Sequence, residues 1–511
     1  MGSRKLALAA CLLLVLVGLP TAAQAATPRA LLVCNGSTAA CPSGTQFTSI
    51  QAAIDAAASG DWVLVWPGVY HETKGSATAG VWVTKPGLHL RGLDRNLVVV
   101  DGSHGTAAGP CPADPALQDF TPRDGIVVYK TSGTYVDNLT VCNYLAAATG
   151  GHGNQVWWNG GDGSGTIGMG SWWGNYLTAT SEYAPPTSSS AMAQYGIFIS
   201  NAGGPGSANY SYASNMGDSA FYVGACRRVC NAVLSHVHAQ NSALGFSGTN
   251  AGNYTIGSSE WDLNRAGIVP NSLNNDDAPP PQDGRCPGSS TQSCTFIEHN
   301  YVHDNNNPNV PSFGIAGAAP VGAGIEIAGG SYDTVRYNTV VRQGGWGIVT
   351  HEFPDSETPP ASGLSHCQGG TQVSELVCNF PAIGNLVYGN RLSGNGFFGN
   401  PTNVDLANEA GANPKNCFYR NSFTSSDPPD IQSPAVDGPP CDGYGPGDPA
   451  LLSELACASG FGNCTVPEAN YPQQTSAVML PLTRQAPMPS PCAGAPANAF
   501  CPGGAYAGPR S

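Results

Sequence analysis

A glycine or alanine followed by a short apolar run recurs through the middle of this chain at a nearly constant interval. It stands at Gly196-Ile197-Phe198-Ile199, Ala220-Phe221-Tyr222-Val223, Gly245-Phe246-Ser247, Gly267-Ile268-Val269, Gly324-Ile325-Glu326-Ile327 and Gly347-Ile348-Val349-Thr350. The steps from 196 to 220, 245 and 267 are 24, 25 and 22 residues, and the step from 324 to 347 is 23. A fixed period of this length means stacked supersecondary units, each burying its apolar face against the next. Antiparallel sandwich strands have no reason to keep such an interval. Each unit also carries an Asn near its turn, including Asn143, Asn215, Asn241, Asn264 and Asn305. Asn tolerates left-handed backbone and can bond along a stack, so these residues are expected to form structural ladders.

The stretch from Gln46 to Glu72, QFTSIQAAIDAAASGDWVLVWPGVYHE, starts the stack. Thr48 and Gln51 fit a capping box, and Ile50, Ala53, Ile54 and Ala57 share one helical face. After Gly60-Asp61 the period changes to two, with Val63 and Val65 opposite Trp62, Leu64 and Trp66. A helix ending where a strand begins suits the covering of an exposed sheet end. The series S-I-Q-x-A-I-x-x-A, G-D-x-V-x-V, P-G-x-Y-x-E resembles the opening of right-handed parallel β-helix proteins of the pectate lyase-like and pectinesterase-like superfamily. The resemblance implies an all-β right-handed parallel β-helix solenoid with a short N-terminal capping helix. It implies little about chemistry, because that entrance serves lyases, hydrolases, esterases and epimerases alike. Tyr70 and Glu72 invite an esterase reading, but Gly217 to Gly224 matches the later esterase box only loosely. Gly151-His152-Gly153 is similar to one polygalacturonase motif, yet no R-I-K or N-T-D accompanies it.

Only 11% of the 511 residues are charged, while 41% are apolar and patterned, which excludes a disordered chain. The formal net charge of −14 argues against nucleic acid as a partner. Residues 1–25 read as a signal peptide: Arg4 and Lys5, an apolar run from Leu6 to Val17, and Ala23-Gln24-Ala25 for cleavage. A secreted, extracellular monomer without membrane insertion is expected. Residues 26–45 read as a disulfide-looped lead-in, 46–424 as the β-helix, and 425–511 as an irregular disulfide-rich C-terminal tail rich in Pro and Gly.

Without Cys11 of the signal, 16 of the 17 cysteines remain, which suits a disulfide framework. Sequential pairing is expected: 34 with 41, 111 with 142, 226 with 230, 286 with 294, 367 with 378, 417 with 441, 457 with 464 and 492 with 501. Three segments, 145–194, 271–295 and 353–380, read as insertions that form walls beside the repeat.

Registering the repeats at their Gly or Ala places Phe198, Tyr222, Ser247, Val269, Glu326 and Val349 in one outward column. Ser200, Gly224, Thr249, Asn271, Ala328 and His351 fall in the next. Glu326 is the acid of the first column and His351 lies one rung on, so Glu326, His351 and Arg265 are the expected catalytic residues. Tyr222, Asn271, Trp157, Trp158, Trp172 and Trp173 are the expected sugar-binding residues, with one member of each Trp pair expected to face solvent, because strand neighbours point oppositely and exposed indoles stack on sugar rings. If the substrate is a uronate, β-elimination needs the carboxylate neutralised and a base in reach. Ca2+ held by Asp276, Asp277 and Glu326 would supply the first. The favoured expectation is a protein that binds and cleaves an extended acidic polysaccharide by β-elimination. The alternatives are a non-catalytic glycan-binding or adhesive β-helix and a glycoside hydrolase, whose two carboxyls would have to include Glu326.

Overall fold

The computed structural model describes residues 27–105, 109–274, 282–356, 367–409, 415–432, 446–459, 470–506 and 508. The predicted signal peptide lies outside the described residues. Among the described residues, three parallel sheets of twelve, eleven and ten strands run along the molecule, beside a small antiparallel sheet of three. Each turn of the chain gives one strand to each long sheet. Ser219–Gly224 joins the eleven-strand sheet, Ala232–Ser235 the twelve-strand sheet and His238–Gln240 the ten-strand sheet, and Leu244–Thr249 returns to the eleven-strand sheet. The result is a right-handed parallel β-helix.

The repeat follows from what each position meets. Ile197, Phe221, Phe246, Ile268, Ile325 and Ile348 lie in register on successive strands and stack inside the coil, fully buried. Close approach keeps the residue before each small, glycine at five positions and Ala220 at the sixth: a Cβ at Gly267 would lie 2.3 Å from the Gly324 carbonyl, and one at Gly324 would lie 2.6 Å from that of Gly347. Asn side chains close the turns. Asn300, Asn338, Asn390 and Asn421 form one ladder, each Nδ2 donating to the next Oδ1 at 2.9–3.0 Å. Asn264 donates likewise to Asn305 at 2.9 Å, and Asn241 to Asn215 at 2.7 Å. Asn143, Asn215 and Asn241 take left-handed backbone themselves. Beside Asn264 and Asn305, the preceding Leu263 and Asp304 take it instead.

The N-terminal cap is helix α1 (Ile50–Ala56), and its capping differs from the predicted box. Ser49 is the N-cap, its Oγ accepting from the Ala52 N–H, while the Ile50 N–H donates to Glu72 Oε1 at 2.6 Å. Gln51 is thereby free for the edge of the eleven-strand sheet. Its Oε1 accepts from the Trp82 N–H at 2.7 Å and its Nε2 donates to the Trp82 carbonyl at 3.3 Å. The side chain thus replaces a missing neighbour strand on Ala79–Val83. Tyr70 donates to the Trp66 carbonyl, so both residues of the apparent esterase motif hold the cap and first rung.

Two segments depart from expectation. The lead-in contributes strand Ala30–Val33, paired in parallel with Trp62–Val65, so the sheet begins before the capping helix. The predicted insertion at 145–194 contains Val156–Asn159, Trp172–Asn175 and Thr178–Thr180, one strand for each long sheet. Val156, Trp158 and Trp172 bury fully and make this segment a rung although it lacks the Gly-apolar signature. Of the expected disulfides, 34–41, 111–142, 226–230, 286–294, 367–378 and 492–501 are present. Cys417 and Cys457 are also disulfide-bonded, and their expected partners Cys441 and Cys464 lie outside the described residues.

The tail is ordered where it is described. It forms helix α2 (Ala450–Ala458) and then runs back along the coil in extended form. On the way it bonds Asn309 through Val478, Asn215 through Leu480, Asn96 through Gln485, Asn138 through Met488 and Arg91 through Ala493. It ends against Trp62 and Trp66 of the first rung, where Phe500 and Tyr506 pack. No helix among the described residues is long and apolar enough to cross a membrane.

Candidate functional site

The outer face of the eleven-strand sheet carries the two predicted columns. Phe198, Tyr222, Ser247 and Val269 lie in register across successive strands, and Glu326 lies beside Val349. In the adjacent column Thr249, Asn271, Ala328 and His351 follow one another.

These columns are partly covered. Helix α2 lies over them, with Leu451, Leu455 and Ala458 packed in one cluster with Val269, Ala316, Ala328 and Val349. Glu454 anchors the helix, accepting from the Thr402 N–H at 3.1 Å, Asn403 Nδ2 at 3.0 Å and the Tyr471 hydroxyl at 2.7 Å. Between sheet, helix and the segment 313–320 is a cavity of about 790 Å³, whose lining includes Tyr195, Tyr222, Asn271, Phe313, Glu326 and His351. This volume is that of a small-molecule site.

At its polar end, Glu326 and His351 form a buried pair with His351 Nε2 2.9 Å from Glu326 Oε1. His351 Nδ1 lies 2.7 Å from the Glu352 carbonyl, so both ring nitrogens have protein partners. Burial alone would lower the His351 pKa, but the hydrogen bond and charge of Glu326 outweigh it and leave the imidazole raised above its ordinary value of 6.5. Glu326 Oε2 is buried with no hydrogen-bond partner among the described residues, and so is Asn271 Oδ1. Both belong to residues that line the cavity. Buried acceptors without donors are costly, and a ligand carrying hydroxyls would satisfy them. Glu326 and His351 both stand in the cavity lining, with Glu326 held by His351.

Asp218 is a second acid of the lining, not singled out from the sequence. It accepts from the Tyr195 hydroxyl at 2.8 Å and from Ser219 Oγ at 2.6 Å, and burial pushes its carboxyl up to about 6. Its signal was weak, because one Asp before a repeated strand looks like any turn residue.

Arg265 does not join this site. Its side chain donates to the Ala319 carbonyl, and burial pulls its pKa down to about 10. It is absent from the described lining because the turn before strand Ala266–Asn271 directs it to the segment 313–320. Tyr222 and Asn271 line the cavity, but the four Trp residues do not. Trp158 and Trp172 point into the coil and are fully buried, which removes them as sugar platforms. Their strand neighbours Trp157 and Trp173 face outward on different sheets, stacked on Phe198 at 5.0 Å and on Tyr135 at 4.4 Å. Asp276 and Asp277 lie outside the described residues.

No protein-family model matches this chain, and a search of curated proteins finds no match. Among solved structures it is similar to the A-module of the Azotobacter vinelandii mannuronan C-5 epimerase AlgE4, with 14% identity and a TM-score of 0.40 over 76% of this chain and 93% of that one. It is also similar to a lacto-N-biosidase from Eubacterium ramulus, with 10% identity and a TM-score of 0.37 over 77% of this chain and 67% of that one. Pectin methylesterase PemA from Erwinia chrysanthemi shows 11% identity and a TM-score of 0.30 over 87% of this chain and 100% of that one. The fold assignment rests on the strand register rather than on these likenesses. By that register and its repeat, the chain is a right-handed parallel β-helix repeat protein.

Proposed function

We propose that this protein is a carbohydrate-active β-helix that takes a short glycan, or the end of a longer polysaccharide, into the cavity under α2 and acts on it by proton transfer. The observation that carries this reading is the unpartnered, buried Glu326 Oε2, held beside His351 in the cavity lining. The covered site suits a chain end better than the middle of an extended polymer. Tyr222 and Asn271 offer a ring and an acceptor to a sugar.

The reaction proposed is β-elimination at a uronate: Glu326 takes the proton from the carbon next to the carboxylate, the electron pair left behind forms the C=C bond, and the glycosidic C–O bond at the next carbon breaks, its oxygen taking a proton from water, while His351 holds Glu326 in position. None of the described lining residues is Lys or Arg. A uronate carboxylate would therefore need an added cation, and calcium is proposed in that role. The hydrolase alternative is less well served by the placed acids. Asp218 stands three rungs and four residues from Glu326, about 19 Å at the Cα atoms by strand spacing and rise. Two carboxyls that work across one glycosidic bond lie roughly 5–9.5 Å apart.

The test is a panel of uronate and neutral oligosaccharides, with calcium and with chelator, followed by absorbance of unsaturated product and by reducing ends. Unsaturated product that disappears in Glu326→Gln supports the reading. Reducing ends without unsaturation point to hydrolysis, and binding without product points to a non-catalytic glycan-binding protein.

A further inference from the structure

The outer face of the ten-strand sheet, away from the cavity, carries an unassigned group of ligating side chains on three consecutive strands. His238 and Gln240 come from His238–Gln240, Glu260 and Asp262 from Glu260–Asp262, and Tyr301 and His303 from Tyr301–His303. Register aligns His238 with Glu260 and Tyr301, and Gln240 with Asp262 and His303. One ligand atom each of His238, Glu260 and Asp262 lie within 4.8 Å of one another. His238 Nε2 is 2.6 Å from Asp262 Oδ1, and His303 Nε2 is 3.1 Å from Glu260 Oε1.

We infer that His238, Glu260 and Asp262 form a site for a divalent transition-metal ion. Three carboxylates meet here, those of Glu260, Asp262 and Asp304, and Arg342 is the only Lys or Arg paired with any of them among the described residues. His303 sits between Asp304 Oδ2, 2.8 Å from its Nδ1, and Glu260. His303 thus bridges Asp304 and Glu260 and holds Glu260 beside His238 and Asp262.

The surroundings fit a built site. Gln240 Nε2 donates to Asp262 Oδ2 at 2.9 Å and so orients the oxygen facing His238, while Tyr301 stacks on His303 at 4.1 Å. The side chain of Glu260 is 46% exposed and that of Asp262 is buried, which leaves one side open for water ligands. One imidazole with two carboxylates favours zinc or a neighbouring first-row ion over calcium, which prefers an all-oxygen shell. The second group of this kind, Asp101 with Cys111 and Cys142, is not available to a metal, because its two sulfurs form a disulfide.

The test uses the tag-free full chain, stripped with chelator and titrated calorimetrically with Zn2+, and in parallel with Mn2+ and Ca2+. The expected result is one Zn2+ per chain, lost in His238→Ala and Asp262→Asn and weakened about tenfold or more in His303→Ala. Circular dichroism checks folding, and Glu260→Gln at the half-exposed position serves if the buried Asp262 variant does not fold. Absence of Zn2+ binding by the wild type, Zn2+ binding that survives these substitutions, or a preference for Ca2+ would each overturn the assignment.

Discussion

Replacing His351 by leucine tests the structural reading of the cavity before any substrate is known. Glu326 has one hydrogen-bond partner in the described structure, His351 Nε2 at 2.9 Å, and both side chains are buried. Removing one partner of a buried ion pair leaves the other charge uncompensated, at a cost of about 3–5 kcal/mol. His351→Leu and Glu326→Leu should each lose this much, whereas the double variant, two apolar residues under Leu455 and α2, should fall within about 1 kcal/mol of the wild type. The coupling in the double-mutant cycle would then be at least about 5 kcal/mol.

The cost should also depend on pH. The folded pKa of His351 is raised above 6.5, so the stabilisation is present in full below 6.5 and is lost as pH rises through the folded value. The gap between wild type and His351→Leu should therefore be widest near about pH 6 and should narrow in alkali. A long solenoid need not unfold in one step, so denaturant curves should be read together with hydrogen exchange of the peptides spanning 323–351. Single-variant costs that simply add up in the double variant, within about 0.5 kcal/mol, would refute the ion-pair reading.

Three further outcomes are expected. Asn338→Ala should leave the buried Asn300 N–H without an acceptor and cost about 1–3 kcal/mol, read as lost exchange protection at Asn300, while the exposed neighbour Thr339→Ala changes stability by less than about 0.5 kcal/mol. Asp218, held at about 6 against an ordinary 3.8, keeps its proton longer in the folded state, so wild-type stability should fall by about 3 kcal/mol as pH rises from about 4 to about 6. An Asp218→Asn variant with the same slope in its melting profile would contradict this. Leu455→Ala should cost about 2–5 kcal/mol of local stability and expose α2 to limited proteolysis, and an unchanged cleavage pattern would show that the helix is held by other contacts.

The solenoid was legible because its signature is a steric demand. Gly267 and Gly324 are fixed by carbonyls of the next rung, so their spacing prints the rung length into the sequence. The same registration placed Glu326 and His351 on adjacent outward columns. What lies over those columns was not legible. Helix α2 starts behind Asp448, whose Oδ1 accepts from the Ala450 N–H at 2.8 Å, but it is short, lies among Pro and Gly beyond the repeat, and its packing is tertiary. Trp158 and Trp172 were misread because a rung lacking the Gly-apolar mark looks like a loop, and only burial shows which member of each pair turns inward. Gln51 was assigned to its own helix because the strand edge it serves, at Trp82, is remote in sequence.

The returning tail sets an order on assembly. A parallel coil can grow rung by rung from its capped end, with contacts mostly between neighbouring turns. Here the first rung is closed by Phe500 and Tyr506 against Trp66, and Arg91 is satisfied by the carbonyls of Pro491 and Ala493, roughly four hundred residues away. The earliest-made part of the coil stays unsealed until the segment that covers it has emerged. Between those events the faces of Trp62 and Trp66 are open and sticky, so the interval between making residue 66 and residue 506 is when this chain is most exposed to wrong partners.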